Sequence, residues 1–305
     1  MKTRLRVPFA RRAKLQLDGV KYRLAVHVGR RLRLALDLAA RHDDATRRSG
    51  HERLTPEDVE RIARDYGASL RQSASSQLEV LERERRRLDR ELGSNAPSTN
   101  RTTLAIRSCI AELERGQITS AINIGCGLDM AFYTLSGLYP KVRFTSVDFT
   151  DEHRRLLGRA FPDADRPNWR TITGYALDLL QRGALRGDLV LLSGVASMMT
   201  PLEWRAYATE LAAFAKTVVL TDVWYAAPNG APWQVPLPED VSPSEGVVVA
   251  GVHGGCYLHN HRAILEGAGF SVRRCDLVAD HSYLLDLVAD RTRTSAGVVA
   301  TSPAA

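Results

Sequence analysis

The chain has 305 residues, 44% of them apolar and 25% charged, with a formal net charge of +7 and a pI near 9.4. These proportions exclude a disordered, collagen-like or disulfide-scaffold protein, and the length suggests two domains or one large domain with an appendage. The charge is uneven: residues 1–92 hold 23 Lys or Arg against 14 Asp or Glu, a net +9, and the remainder is slightly acidic. The excess is Arg rather than Lys, and on charge alone nucleic acid is not the expected partner. No apolar run reaches the ~18 residues of a membrane span, and no apolar stretch follows the Arg-rich start. Cys109, Cys126, Cys256 and Cys275 form no CxxC pair, so a cytoplasmic protein without membrane attachment is expected.

In chain order, Leu15, Leu17, Val20, Tyr22, Leu24 and Val26 alternate around Asp18-Gly19, which predicts strands over 12–38. A helical face through Leu24, Val28, Leu32, Ala35 and Ala39 competes with that reading. Thr55-Pro56-Glu57-Asp58 then supplies a cap, a first-turn proline and two acids, predicting a helix from Pro56 to Tyr66. From Ser69 to Leu92 an apolar stripe lies beside a charge run that reads as a solvated helix face. Gly93 to Ser98 reads as a linker, making 1–95 a basic α+β or helical region, a lid or a homodimerisation element. The second domain is expected over 99–290 and a loose tail over 291–305.

From residue 99 onward, helical and strand-like segments alternate. Strands are predicted at Ser120–Ile124, Val142–Asp148, Arg170–Ile172, Asp188–Ser193, Thr217–Asp222, Ser271–Val278 and Ser282–Ala289. Helices are predicted at Thr102–Arg115, Met130–Leu138, Asp151–Arg159, Tyr175–Arg182, Pro201–Phe214 and Asn260–Gly267. The fold class is α/β with a mostly parallel sheet. Only Ala279, Asp280 and His281 separate the last two strands, too few for a parallel crossover, so an antiparallel pair closes the sheet. Residues 226–255 carry five prolines and read as a functional cover or a disordered loop.

Asn123-Ile124-Gly125-Cys126-Gly127-Leu128-Asp129 is a strand running into a glycine turn that opens a helix, where backbone can approach a ligand closely. A dinucleotide fingerprint needs glycine where Met130 stands, which weakens a nicotinamide reading. Asp148 ends the second strand 21 residues after Gly127, the place for a carboxylate that holds ribose hydroxyls; the alternative is a cap on the next helix.

On these residues and on Glu266-Gly267-Ala268-Gly269-Phe270, residues 100–290 resemble the class I S-adenosylmethionine-dependent methyltransferases. Asn-Ile-Gly-Cys-Gly-Leu-Asp is similar to the variant found in the leucine carboxyl and polyketide O-methyltransferase group. The resemblance implies a Rossmann-like sheet with a reversed last strand and S-adenosyl-L-methionine as cofactor. It places Gly125 and Gly127 against the methionine part, Asn123 or Asp129 at its amino group and Asp148 on the ribose. Phe149 packs on the adenine or belongs to the core, and Tyr175 and Ala176 border the other side of the base. Three residues depart from the family pattern: Asn123 and Tyr175 replace acids, and Asp129 replaces a third glycine.

Methyl transfer needs in-line placement and exclusion of water more than catalytic side chains. Ser193-Gly194-Val195-Ala196 stands where amide or adenine N-methylating members carry Asn-Pro-Pro-Tyr, and Val223-Trp224-Tyr225 follows Asp222 where magnesium ligands would lie. The densest chemical cluster is His253 to His261. His259, otherwise His253, is the candidate base for an acceptor hydroxyl, and the alternative has Asn260 capping a helix while its neighbours pack. His253, Cys256 and His259 also have zinc-ligand chemistry, but no second ligand pair accompanies them, so no metal is expected. Trp224, Tyr225 and Tyr257 are candidates for a substrate pocket. The expected protein is a methyltransferase of natural-product biosynthesis acting on an oxygen of a small molecule. The alternatives are an RNA-directed methyltransferase using the basic N-terminal region, and a non-methylating enzyme on the same fold.

Overall fold

In a computed structural model, the residues described are 54–94, 96–98, 100–223, 259–278 and 281–292. The predicted hairpin over 12–38, the proline-rich 226–255 and nearly all of the tail lie outside them.

Thr55 and Asp58 form a reciprocal capping box that starts α1 (Pro56–Gln72). The helix passes the predicted end at Tyr66 because no breaker follows until Ser73; Gly67 stays helical where it packs closely on Thr150 and Glu152. After Ser73, α2 (Ala74–Leu92) turns Leu81 and Leu88 inward and leaves most of its charged residues outside. The linker Gly93 to Ser98 does not separate two cores. Leu70, Leu81 and Leu88 belong to the same buried cluster as Ile106, Phe132, Phe144 and Leu157.

Next come α3 (Arg101–Glu114), β1 (Ser120–Ile124), α4 (Met130–Leu138), β2 (Arg143–Asp148), α5 (Glu152–Ala160), β3 (Trp169–Thr173) and α6 (Ala176–Gln181). They are followed by β4 (Leu189–Ser193), α7 (Pro201–Ala212), β5 (Thr217–Val223), α8 (His261–Gly267), β6 (Phe270–Val278) and β7 (His281–Arg291). The seven strands lie in the order β3-β2-β1-β4-β5-β7-β6. The first five pair in parallel; β7 runs antiparallel to both β5 and β6, as the short connection requires.

Both faces of the sheet are covered, which explains the nearly continuous apolar runs of the central strands. The period of two divides them: Leu189, Leu191 and Val219 face the core under α1 to α5, while Val190, Leu192, Val218 and Leu220 face α6, α7 and α8. The reversed strands are tied to α3 through buried Asp286, which accepts from Ser108 Oγ at 3.0 Å and Arg274 Nη2 at 2.8 Å. Among the described residues no helix is long and apolar enough to cross a membrane.

Candidate cofactor site

The site stands at the carboxyl ends of β1, β2 and β4, where open α/β sheets place ligands. A cavity of about 430 Å³ lined by Arg143, Trp169, Arg186 and Asp188 lies instead at the amino-terminal edge, away from the glycine loop. Beyond Ile124 the chain enters the left-handed region three times, at Gly125 (φ 64°), Gly127 (φ 53°) and Asp129 (φ 42°). Any side chain at Gly125 would strike Val195, so this glycine permits the loop to pack on the segment after β4. Gly127 is different: no atom lies within 4 Å of the place its Cβ would take, which leaves room beside exposed backbone.

Asp148 closes the other side. Its Oδ2 accepts from Gly127 N at 2.8 Å and its Oδ1 from Phe149 N at 2.7 Å. It does not cap α5, whose N-cap residue is Asp151. Cys126 Sγ makes a third, longer contact with Oδ2 at 3.9 Å. A carboxylate offers about four acceptor positions, so Asp148 still has room to accept from a ribose hydroxyl while holding the glycine loop in place.

Asn123 and Asp129 turn to each other: Asn123 Nδ2 donates to Asp129 Oδ1 at 2.7 Å, Phe132 N donates to the same oxygen at 3.1 Å, and the Ser146 hydroxyl donates to Oδ2. Asp129 thus caps α4 from inside the protein. Burial pushes its carboxyl up to about 6 in spite of these donors. The two departures from the family pattern therefore explain one another, because an acid at position 123 would face Asp129 as a like charge where the amide donates.

Phe149 and Tyr175 stack with centroids 6.1 Å apart and planes 11° apart. A base held between two rings spans about 7 Å, twice a ~3.5 Å contact, so the rings stand roughly 1 Å closer than such a sandwich. The Tyr175 hydroxyl is spent on Glu203 Oε1 at 2.9 Å, and Ala176 is buried at the start of α6.

The expectation of a base at His259 is corrected by its surroundings. The ring is fully buried, Nε2 donates to the Met199 carbonyl at 3.1 Å, and burial followed by neighbouring His261 holds its pKa down to about 3. Asn260 caps α8 by accepting from Ala263 N at 3.1 Å. His253, Trp224, Tyr225 and Tyr257 lie outside the described residues.

A neutral buried histidine has a consequence for stability. Its folded pKa lies below the ordinary histidine value of 6.5, so the unfolded chain takes the proton first. The contribution is complete above pH 6.5 and is lost as pH falls towards 3, by up to roughly 5 kcal/mol at 1.36 kcal/mol per pH unit. Urea unfolding between pH 4 and 7 should show a shallower pH dependence in His259→Leu than in the parent; equal slopes would refute this environment.

Four further residues escaped the sequence reading. Cys126 Sγ lies 3.2 Å from His153 Nε2. Tyr66 on α1 is brought close to Asp148 and Cys126, and burial and these groups raise its pKa. Thus α1 covers the end of β2, held there in part by Arg71 on Glu152 at 2.5 Å. Arg101, exposed at the first position of α3, packs its guanidinium where a side chain at Gly194 would be. One signal for Arg101 was available, since a cation opposes the dipole of a helix whose first turn contains no acid.

No family model matches the sequence, and no curated protein matches it. Among solved structures, the chain is similar to human N-acetylserotonin methyltransferase in complex with SAM, at 12% identity and a TM-score of 0.52, over 85% of this chain and 68% of that one. It is also similar to the Burkholderia thailandensis 1,6-didemethyltoxoflavin-N1-methyltransferase, at 14% identity and a TM-score of 0.48, over 79% and 92% of the two chains. With five parallel strands, the reversed β7 and a glycine turn after β1, the chain has the Rossmann-like fold of the class I S-adenosylmethionine-dependent methyltransferases.

Proposed function

We propose that the protein is an S-adenosylmethionine-dependent methyltransferase that acts on an oxygen of a small molecule. The observation that carries this reading is the pairing of the Gly127 backbone, with open space beside it, and the Asp148 carboxylate at 2.8 Å at the carboxyl ends of β1 and β2. A small-molecule acceptor is supported by the fold similarity to an enzyme named for N-acetylserotonin, and an oxygen acceptor by Ser193-Gly194-Val195 in place of an N-methylating motif.

When bound, the cofactor supplies an electrophilic methyl group on a sulfonium. The chain's own part is to bind, orient and keep water away. Gly125 and Gly127 give backbone access to the methionine part, and Asp148 accepts from the ribose hydroxyls. Arg101 stands over the end of β4 and is the cation for the amino acid carboxylate. Helix α1, packed on Thr150 and Glu152 just beyond Asp148, acts as the cover over the ribose.

Calorimetric titration with S-adenosylhomocysteine tests the reading. Arg101→Ala should weaken binding by roughly tenfold, the low end for a charged hydrogen bond because the guanidinium is exposed. Absence of binding by the parent protein at millimolar ligand would sink the proposal, and unchanged affinity in Arg101→Ala would remove that residue from the carboxylate.

A further inference from the structure

The glycine loop, β2 and the first turn of α5 bring three metal-ligand side chains to one point. Cys126 Sγ lies 3.2 Å from His153 Nε2 and 3.9 Å from Asp148 Oδ2, and all three ligand atoms fall within 4.8 Å of one another. Around tetrahedral zinc, with Zn–S near 2.3 Å and Zn–N or Zn–O near 2.0–2.2 Å, neighbouring ligand atoms are about 3.5 Å apart. The two spacings from Cys126 therefore need shifts of only a few tenths of an ångström, and the His153–Asp148 pair, within 4.8 Å, of at most about 1.3 Å.

We propose that Cys126, His153 and Asp148 form a zinc site that shares Asp148 with the cofactor, so that the ion and the cofactor exclude one another. The exclusion rests on the reading that Asp148 holds the ribose. A nucleophilic relay would need the carboxylate on the far nitrogen of His153. Instead Asp148 sits on the sulfur side, and His153 Nδ1 is buried without a hydrogen-bond partner. Neutral His153, ionised Asp148 and a thiolate would together balance the double charge of Zn²⁺, which is the condition for holding an ion in a mostly buried place. On binding, the sulfur–hydrogen bond of Cys126 breaks, its proton leaves to solvent and a zinc–sulfur bond forms. The half-buried stretch from Gly125 to Leu128 is the way in, and the fourth position is left to water.

The test uses the full-length chain without an affinity tag. Titration with Co²⁺ should give one equivalent of binding with a thiolate-to-cobalt absorption band that added Zn²⁺ removes. Cys126→Ser should lose the band and bind Zn²⁺ at least roughly a hundredfold more weakly, since even outer-sphere partners are worth ten- to a hundredfold. In the parent protein Zn²⁺ should also protect Cys126 from iodoacetamide, located by peptide mass, which needs no variant to fold. S-adenosylhomocysteine at ten times its own Kd should raise the apparent Kd for Zn²⁺ about tenfold. Absence of the cobalt band, or of protection at Cys126, overturns the site. If both ligands bind and neither affects the other, the exclusion is overturned. If zinc binds at Cys126 and S-adenosylhomocysteine does not bind at all, the metal site stands and the cofactor reading falls.

Discussion

Gly127→Val is expected to reduce S-adenosylhomocysteine affinity by at least roughly a hundredfold in a chain that still folds. Nothing lies within 4 Å of where its Cβ would stand, so the added side chain fills the room left beside the loop. The backbone at φ 53° adds strain of about 1–3 kcal/mol for a β-branched residue, which acts on stability as well as binding. Gly116→Val separates the two effects. Gly116 also has positive φ, 77°, and open space around it, but lies between α3 and β1, away from the carboxyl ends of the strands. Thermal melts should show a comparable loss for both variants, while calorimetry should show the affinity loss for Gly127→Val alone. Wild-type affinity in a folded Gly127→Val protein would take the loop out of the site.

Asp148→Ala should weaken the same ligand by one to two orders of magnitude or more. A charged hydrogen bond is worth about 1.5–3 kcal/mol, and 1.4 kcal/mol is a factor of ten in affinity. The variant loses the ribose acceptors and also releases Gly127 N and Phe149 N, so the glycine loop loses the contact that holds it against β2. Asp148→Asn gives a second reading. Its amide can keep one backbone acceptor contact but turns a donor towards either Gly127 N or Phe149 N, so it should fall between parent and alanine only if the charge is the smaller part of the effect. Titrations of both variants with S-adenosylhomocysteine, beside melts to establish folding, check this. A folded Asp148→Ala protein with parental affinity would leave the carboxylate only its backbone contacts.

Chemistry that repeats along the chain or sits within one turn was legible in the sequence. A strand running into a glycine turn placed β1 at Ser120–Ile124, capping residues placed the start of α1, and three residues between the last strands required their antiparallel pairing. Each of these rests on backbone geometry that neighbours impose on one another, so no distant partner was needed. The glycine loop and Asp148 were legible for the same reason, as a turn that needs positive φ and a strand that ends in an acid.

Where each side chain points was decided by tertiary structure. His259 looks available for proton transfer in the sequence, yet the return of the chain beside Met199 encloses it and removes its basicity. Asn123 and Asp129 look like ligands in the sequence; in the fold the Asn123 amide nitrogen and the start of α4 take up Asp129, while Asn123 Oδ1 stays buried without a partner. Arg71 on α1 reaches Glu152 from 81 positions earlier in the chain, and Cys126 meets His153 only because β2 returns beside β1 and delivers α5 to the glycine loop. Periodicity and capping are set by the covalent chain over one or two turns, whereas burial and pairing are set by which elements the hydrophobic core draws together, and that is settled only in three dimensions.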